Sequence, residues 1–300
     1  MIYTVTLNPS LDYVMHLDQM CIGSVNRSNR EEVYPGGKGL NVSIVLNNLR
    51  IPNKALGFIA GFTGKEIEDT MKRLGSDTDF ILLDSGISRI NVKLEAQDET
   101  EINGMGPQIT PTDLKELYTK LEQLNEGDFL VLAGSIPKSI PDSIYKDIMK
   151  MLSEKKINFV VDATKNLLLN VLQYKPFLIK PNHIELAEMF NVSLNNDDDI
   201  ITYARKLQDM GAQNVLISMG GDGSILITSQ GEVMRMRAPK GTVINTVGSG
   251  DSMVAGFIAG YLKSQDFKEA LRLATATGSA TAFSPWLATM EQIDNLLETL

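Results

Sequence analysis

Cysteine and histidine are nearly absent from this 300-residue chain: Cys21 is the single cysteine, and His16 and His183 are the only histidines. One thiol can neither close an intramolecular disulfide nor build a thiolate-rich zinc site. Two histidines leave little material for a histidine-based triad or metal centre, and His183 reads as a surface helix residue. Positive charge is also scarce: 28 Lys and Arg stand against 37 Asp and Glu, a formal net charge of -9. Nucleic acid and anionic membranes reward clustered cations, so neither is an expected partner, and no basic, aromatic-interleaved stretch exists. No apolar run approaches the roughly eighteen residues of a membrane span, and Met1 to Val5 carry no basic leader, so a cytoplasmic location is expected. Repeats, low-complexity tracts and Pro/Gly-rich linkers are missing too, which argues against a second independently folding domain.

What remains is a globular composition, 43% hydrophobic and 22% charged, long enough to bury a large core. Short apolar runs at Ile2 to Leu7, Ala55 to Ile59, Phe129 to Ala133, Phe159 to Asp162, Phe177 to Ile179 and Val215 to Ser218 read as strands. Segments of helical period lie between them, as at Leu40 to Leu49, Lys65 to Leu74, Asp198 to Met210, Asp251 to Leu262 and Phe267 to Thr281. That alternation predicts an α/β fold with a parallel sheet, whose ligands bind at the carboxyl ends of the strands. Residues 11 to 35 and roughly 88 to 105 break the rhythm. Arg89-Ile90-Asn91-Val92-Lys93-Leu94 alternates in strand fashion, and the two segments are expected to pair as a small sheet over the main domain.

The strongest chemical signal is Asn245-Thr246-Val247-Gly248-Ser249-Gly250-Asp251-Ser252, a polar glycine turn running into an apolar helix. Free amides at a helix start attract anions, so those of Gly248, Ser249, Gly250 and Asp251 can hold a phosphate oxygen while the Asp251 carboxylate accepts a proton. The alternative is an ordinary N-cap aspartate. Pro35-Gly36-Gly37-Lys38-Gly39-Leu40-Asn41 adds a cation and an amide to a second glycine turn, suiting a polyhydroxylated anion bound by Gly37, Lys38 and Asn41, or it is a plain loop. It is not a Walker A loop, because Glu32 stands where the first glycine belongs and Gly39 where Ser or Thr belongs. Neither cluster fits the dinucleotide pattern. Asp12, after the first strand, can anchor sugar hydroxyls or merely shape a turn. Asn182 and Glu185 share one face of a helix start and suit hydrated Mg, unless they form a capping box. Ser218-Met219-Gly220-Gly221-Asp222-Gly223 is a nucleotide-contacting turn or a hairpin.

Taken in order, Asp12, the Gly36 to Asn41 cluster, the Asn182/Glu185 pair, the Ser218 to Gly223 turn and the Gly248 to Asp251 turn resemble the ribokinase-like (PfkB) carbohydrate kinases over nearly the whole chain. The resemblance implies a three-layer α/β/α fold with a mainly parallel sheet and a small β lid. The main domain would comprise residues 1–10, 36–86 and 107–300, and the lid 11–35 and 87–106; in the family such a lid often forms a dimer contact. It further implies ATP and Mg as cofactors. Asp251 is then the base and Gly248 to Gly250 the anion hole. Lys180, Asn182, Ser218, Gly220 and Gly223 serve the nucleotide, and Asn182 and Glu185 govern Mg.

Within the family, the branch acting on sugars that already carry a phosphate is most similar, through Ser88 to Lys93, Lys180-Pro181-Asn182 and Gly250-Asp251-Ser252-Met253. Arg89 resembles the substrate-phosphate ligand, with Lys38, Lys93 and Ser135 as helpers; the alternative for Arg89 and Lys93 is two exposed charges on one strand face. The expected acceptor is a ketose phosphate, fructose 1-phosphate, with tagatose 6-phosphate as the alternative and a non-catalytic sugar-phosphate sensor as the reading from another class. Asn245, Ser43 and the loop Ser284 to Thr289 depart from the family pattern. The loop lacks the glycine expected near the adenine pocket.

Overall fold

The computed structural model describes residues 1–300. Two sheets organise it. Across the larger, the strands run Val233–Met236, Ser224–Ile227, Asn214–Ser218, Leu178–Ile179, Asn158–Asp162, Phe129–Ala133, Ile2–Thr6, Asn53–Ala60 and Asp77–Thr78, with Ile81–Leu83 also paired to Asn53–Ala60. From Asn214–Ser218 to Asp77–Thr78 every pairing is parallel. The edge strands Ser224–Ile227 and Val233–Met236 turn back antiparallel.

The central strands read as unbroken apolar runs because both sheet faces are covered. In Phe129–Ala133, Leu130 and Leu132 join the core under the helices Pro111–Leu121, Ile144–Met151 and Asp197–Asp209. Phe129, Val131 and Ala133 point the other way, toward Lys38–Asn48, Ser249–Ser264 and Phe267–Ala282. Each such fully buried aliphatic or aromatic side chain contributes about 1.5–3 kcal/mol. The result is the three-layer arrangement expected from the sequence.

The small sheet orders its strands Arg30–Gly36, Ser10–His16, Arg89–Glu95 and Glu99–Asn103. Residues paired across a sheet share a face. Asp12 pairs with Asn91, and this face, with Arg89 and Lys93, is polar although Asn91 and Lys93 are buried. The opposite face carries Tyr13, Val33, Val92 and Ile102 in register, with Val33 and Ile102 exposed. This inverts the usual apolar-in, polar-out pattern. A polar inner face is what a sheet needs when it roofs a ligand cleft instead of a core.

Several short elements were not anticipated: the strands Asp77–Thr78, Ile81–Leu83 and Val233–Met236, and the helices Lys165–Leu169 and Met290–Leu297. Met290–Leu297 opens on a reciprocal capping box between Thr289 and Gln292, a pattern visible in the sequence. The others are too short for periodicity to register.

Candidate active site

Five adjacent parallel strands each deliver a polar residue to one cleft of about 590 Å³. Asn8 follows Ile2–Thr6, Ser135 follows Phe129–Ala133, Asp162 ends Asn158–Asp162, Lys180 follows Leu178–Ile179, and Ser218 ends Asn214–Ser218. The Gly36–Asn41 turn contributes Gly37, Lys38 and Asn41, and the small sheet roofs the space with Asp12 and Arg89. Gly36 must be glycine, because a Cβ there would fall on the Asp12 carboxylate. Asp12 accepts hydrogen bonds from Ser10 Oγ at 2.7 Å and Asn91 Nδ2 at 2.9 Å. The Arg89 Nε–H donates to the Asn8 carbonyl at 3.0 Å, which leaves the guanidinium's terminal donors free. Burial lowers the Arg89 pKa, partly offset by Asp12.

Lys93 sits differently from the sequence expectation. It does not line the main cleft; its ammonium pairs with Asp12 at 3.6 Å and Glu101 at 3.3 Å within the small sheet. Because Arg89 and Lys93 lie four residues apart on a strand, they share a face but stand two pleats apart. Only Arg89 overhangs the cleft.

The helix Ser249–Ser264 starts two residues before the expected Asp251, with Gly248 as N-cap in a left-handed conformation at φ 79°. Asp251 is therefore the third residue of the helix, facing the cleft and almost fully buried. Its Oδ2 accepts from Asn41 Nδ2 at 2.7 Å, across 210 residues of sequence. The Ser249 N–H is taken by the Thr246 carbonyl at 3.2 Å. The amides that reach the cleft without a protein acceptor are those of Gly248, Gly250 and Asp251, so Ser249 alone drops out of the expected Gly248–Asp251 row.

Four of the charged groups lining the cleft, Lys38, Asp162, Lys180 and Asp251, act directly on one another. Lys38 Nζ donates to Asp162 Oδ2 at 3.1 Å, and Lys180 Nζ lies 3.6 Å from Asp162 Oδ1. Burial alone would raise the Asp162 pKa, but Lys180 and Lys38 more than offset it and hold the carboxylate ionised. Asp251 moves the opposite way: burial, then the charge of Asp162, push it up to about 7, against the lowering pull of Lys38, the Asn41 hydrogen bond and Lys180. A carboxyl group tuned to neutrality can both accept and hold a proton near physiological pH. Asp162 was missed as a site residue, although its signal was available: a charged residue closing an otherwise apolar strand at the ligand end of a parallel sheet.

Asn182 and Glu185 form the capping box that competed with the metal reading. Glu185 N–H donates to Asn182 Oδ1 and Asn182 N–H to Glu185 Oε2, both at 2.8 Å. Both side chains also line the cleft, so the cap fixes their orientation toward it. No three Asp, Glu, His or Cys side chains converge as a metal cage; a hydrated Mg shared with phosphates needs only one or two protein ligands. His183, at the start of that helix, lies with Nδ1 3.4 Å from the Ser218 carbonyl.

A second cavity of about 430 Å³ adjoins the first, and the two share Ser218 and Gly250. It is walled by Gly220, Gly221, Gly223, Gly241 and Gly278, with Met253 and Phe283 at its apolar end. The unusual loop after Ser284 does not wall it. Trp286 instead stacks on Tyr34 of the small sheet, ring centroids 4.7 Å apart and planes 14° apart.

Comparison with known proteins gives this geometry a family. The model of the pfkB family carbohydrate kinases matches residues 5–292. The chain is similar to the 1-phosphofructokinase of Bacillus subtilis, 46% identical over 99% of this chain and 97% of the relative. It is also similar to the D-tagatose-1-phosphate kinase of Bacillus licheniformis, 39% identical over 98% and 96% of the two chains. Among solved structures, phosphofructokinase-2 from Escherichia coli in complex with substrates and products superimposes with a TM-score of 0.93 over 100% of this chain and 99% of that one, at 24% identity, a likeness of fold. Two glycine turns, a buried carboxyl group at the mouth of one and a polar sheet over the cleft thus meet in one fold: the chain belongs to the pfkB family of carbohydrate kinases.

Proposed function

We propose that this kinase transfers the γ-phosphoryl group of ATP to the 6-hydroxyl of fructose 1-phosphate, giving fructose 1,6-bisphosphate and ADP. The carrying observation is convergence: Asp251 and the free amides of Gly248, Gly250 and Asp251 stand where a charged, polar cleft meets a glycine-walled cavity. The polar cleft suits a sugar phosphate, with Arg89 for its phosphate and Asp12 and Ser135 for hydroxyls. The glycine-walled cavity suits the nucleoside, admitted by Gly220 and Gly223, with Ser218 and Lys180 near its phosphates. Asp251 Oδ2 is held by Asn41, leaving Oδ1 to take the hydroxyl proton as the oxygen attacks phosphorus. The amide row and the Lys38 and Lys180 ammonium groups offset charge on the transferring group. Mg, held through Glu185 and Asn182 partly by way of water, would supply further neutralisation of the phosphates.

Residues 11–35 and 87–106 act as a lid on the main domain of residues 1–10, 36–86 and 107–300, excluding water from the reaction. The exposed Val33 and Ile102 on its outer face suit a homodimer contact through the lid.

The second reading is a ketose 1-phosphate of different stereochemistry. The curated kinase of Bacillus licheniformis is named for tagatose 1-phosphate, a substrate with its phosphate at the same end as fructose 1-phosphate, whereas the expected alternative, tagatose 6-phosphate, carries it at the other. A coupled assay of ADP formation with fructose 1-phosphate, tagatose 1-phosphate, tagatose 6-phosphate, fructose 6-phosphate and fructose tests the reading. Highest kcat/KM on fructose 1-phosphate is expected; equal turnover of unphosphorylated fructose would overturn it.

A further inference from the structure

Asp162 is a charged side chain buried to a few per cent exposure, and no step above uses it. Its two carboxylate oxygens go to two different lysines: Oδ2 to Lys38 at 3.1 Å and Oδ1 to Lys180 at 3.6 Å. Both lysines line the polar cleft but come from different elements. Lys38 opens the helix Lys38–Asn48 after the glycine turn, and Lys180 follows the strand Leu178–Ile179. Lys180 lies against the anion-binding row, since a Cβ on Gly250 would come within 3.0 Å of its Nζ.

We infer that Asp162 is a positioning residue for phosphoryl transfer, a buried bridge that fixes the Lys38 and Lys180 ammonium groups beside the reacting phosphorus. The inference rests on the kinase reading above. A lysine is a point charge on a flexible four-carbon stem, so it holds one place only if something anchors it. Misplacing catalytic charge by about 1 Å costs on the order of 10²-fold in rate. Asp162 is well suited as the anchor because strand pairing fixes its backbone: Asn158–Asp162 is bonded on one side to Phe129–Ala133 and on the other to Leu178–Ile179. It cannot drift with a loop.

The bridge also touches the base. Lys38, Lys180 and Asp162 are the charged groups that act on Asp251, while Glu185, Asp12 and Arg89 line the same cleft. Among them Asp162 raises the Asp251 pKa and the two lysines lower it. Removing the Asp162 charge therefore shifts the base toward a lower pKa, an effect that a merely architectural residue would not produce.

The test is the isosteric Asp162→Asn, with folding checked by circular dichroism. Kinetics with ATP and fructose 1-phosphate across neutrality should show kcat down on the order of 10²-fold and the acidic limb of kcat displaced to lower pH. Amine-reactive labelling read by mass spectrometry should find Lys38 and Lys180 slow in the parent and faster in the variant, a readout that stands even if the parent fails to phosphorylate fructose 1-phosphate. A folded variant with parental kcat, an unmoved limb, or unchanged labelling of both lysines overturns the bridge. If Asp162→Asn does not fold, Lys38→Met, Lys180→Met and the double variant take its place. Losses that multiply independently would contradict a shared anchor, and a double variant losing less than the product would support it.

Discussion

The two cavities that meet at Gly250 are built from opposite materials. The sugar-side cleft is lined with charged and amide side chains, Asp12, Lys38, Asn41, Arg89, Asp162 and Asp251 among them. The adjoining cavity is lined by six glycines, Gly250 among them, together with small or apolar side chains such as Ala238, Val243, Met253 and Phe283. A side-chain site discriminates by charge and hydrogen bonding and loses function when one group is deleted. A backbone site discriminates by shape and is harmed mainly by adding atoms. Deletions should therefore be severe on the first side and insertions on the second.

The most severe deletion is expected at Asp251. Asp251→Asn should lower kcat by roughly 10²–10⁴-fold, the usual worth of a general base, with both KM values little changed. The same variant should be more stable than the parent above neutrality. The folded-state pKa of about 7 lies above the ordinary 3.8, so ionisation of Asp251 costs stability as pH rises between those values, up to about 4 kcal/mol. Thermal melts at pH values above 7 would reveal the gain; a lower melting point would contradict the buried-charge account.

Arg89→Ala comes next. It should cut kcat/KM for fructose 1-phosphate by roughly 10- to 100-fold, the worth of lost charge-assisted hydrogen bonds, while the KM for ATP stays near parental. Equal damage to both substrates would break the division between the cavities.

The pH profile gives a finer probe. Parental kcat should fall as pH drops through about 7, when Asp251 takes up its proton. Asn41→Leu removes the hydrogen bond that favours the ionised carboxylate, so its acidic limb should lie at higher pH, opposite to the displacement expected for Asp162→Asn. An Asn41 limb unmoved or displaced downward would mean that Asn41 serves the sugar rather than the base.

On the backbone side, Gly221→Val tests insertion. A Cβ there meets nothing within 4 Å, so the fold should survive while the KM for ATP rises several-fold and that for the sugar phosphate does not. The smallest effect is optical. Trp286, the single tryptophan, stacks on Tyr34 of the small sheet, so its fluorescence should respond to fructose 1-phosphate more than to ATP. A larger response to ATP would tie the small sheet to the wrong cavity.

Much of this was legible beforehand. The parallel core announced itself because strands buried on both faces must be apolar without interruption, as in Phe129–Ala133. The glycine turns were legible because close approach of backbone to a ligand excludes side chains. Asp162 escaped because its importance is relational: nothing near it in the chain reveals that Lys38, 124 residues away, donates to it. That Lys93 lies outside the main cleft was hidden for a similar reason, since periodicity gives the face of a strand but not how far along it the cleft extends.

Sequence alone determined the fold class, the family and the candidate for the base, because these depend on local patterns, apolar period and glycine spacing, that the chain carries in order. Tertiary structure decided which amides remain free, that Asn41 hydrogen-bonds Asp251, and that Asp162 joins two lysines. Those depend on distances between segments that meet only when the sheet assembles, and on burial, which sets the protonation of a carboxyl group.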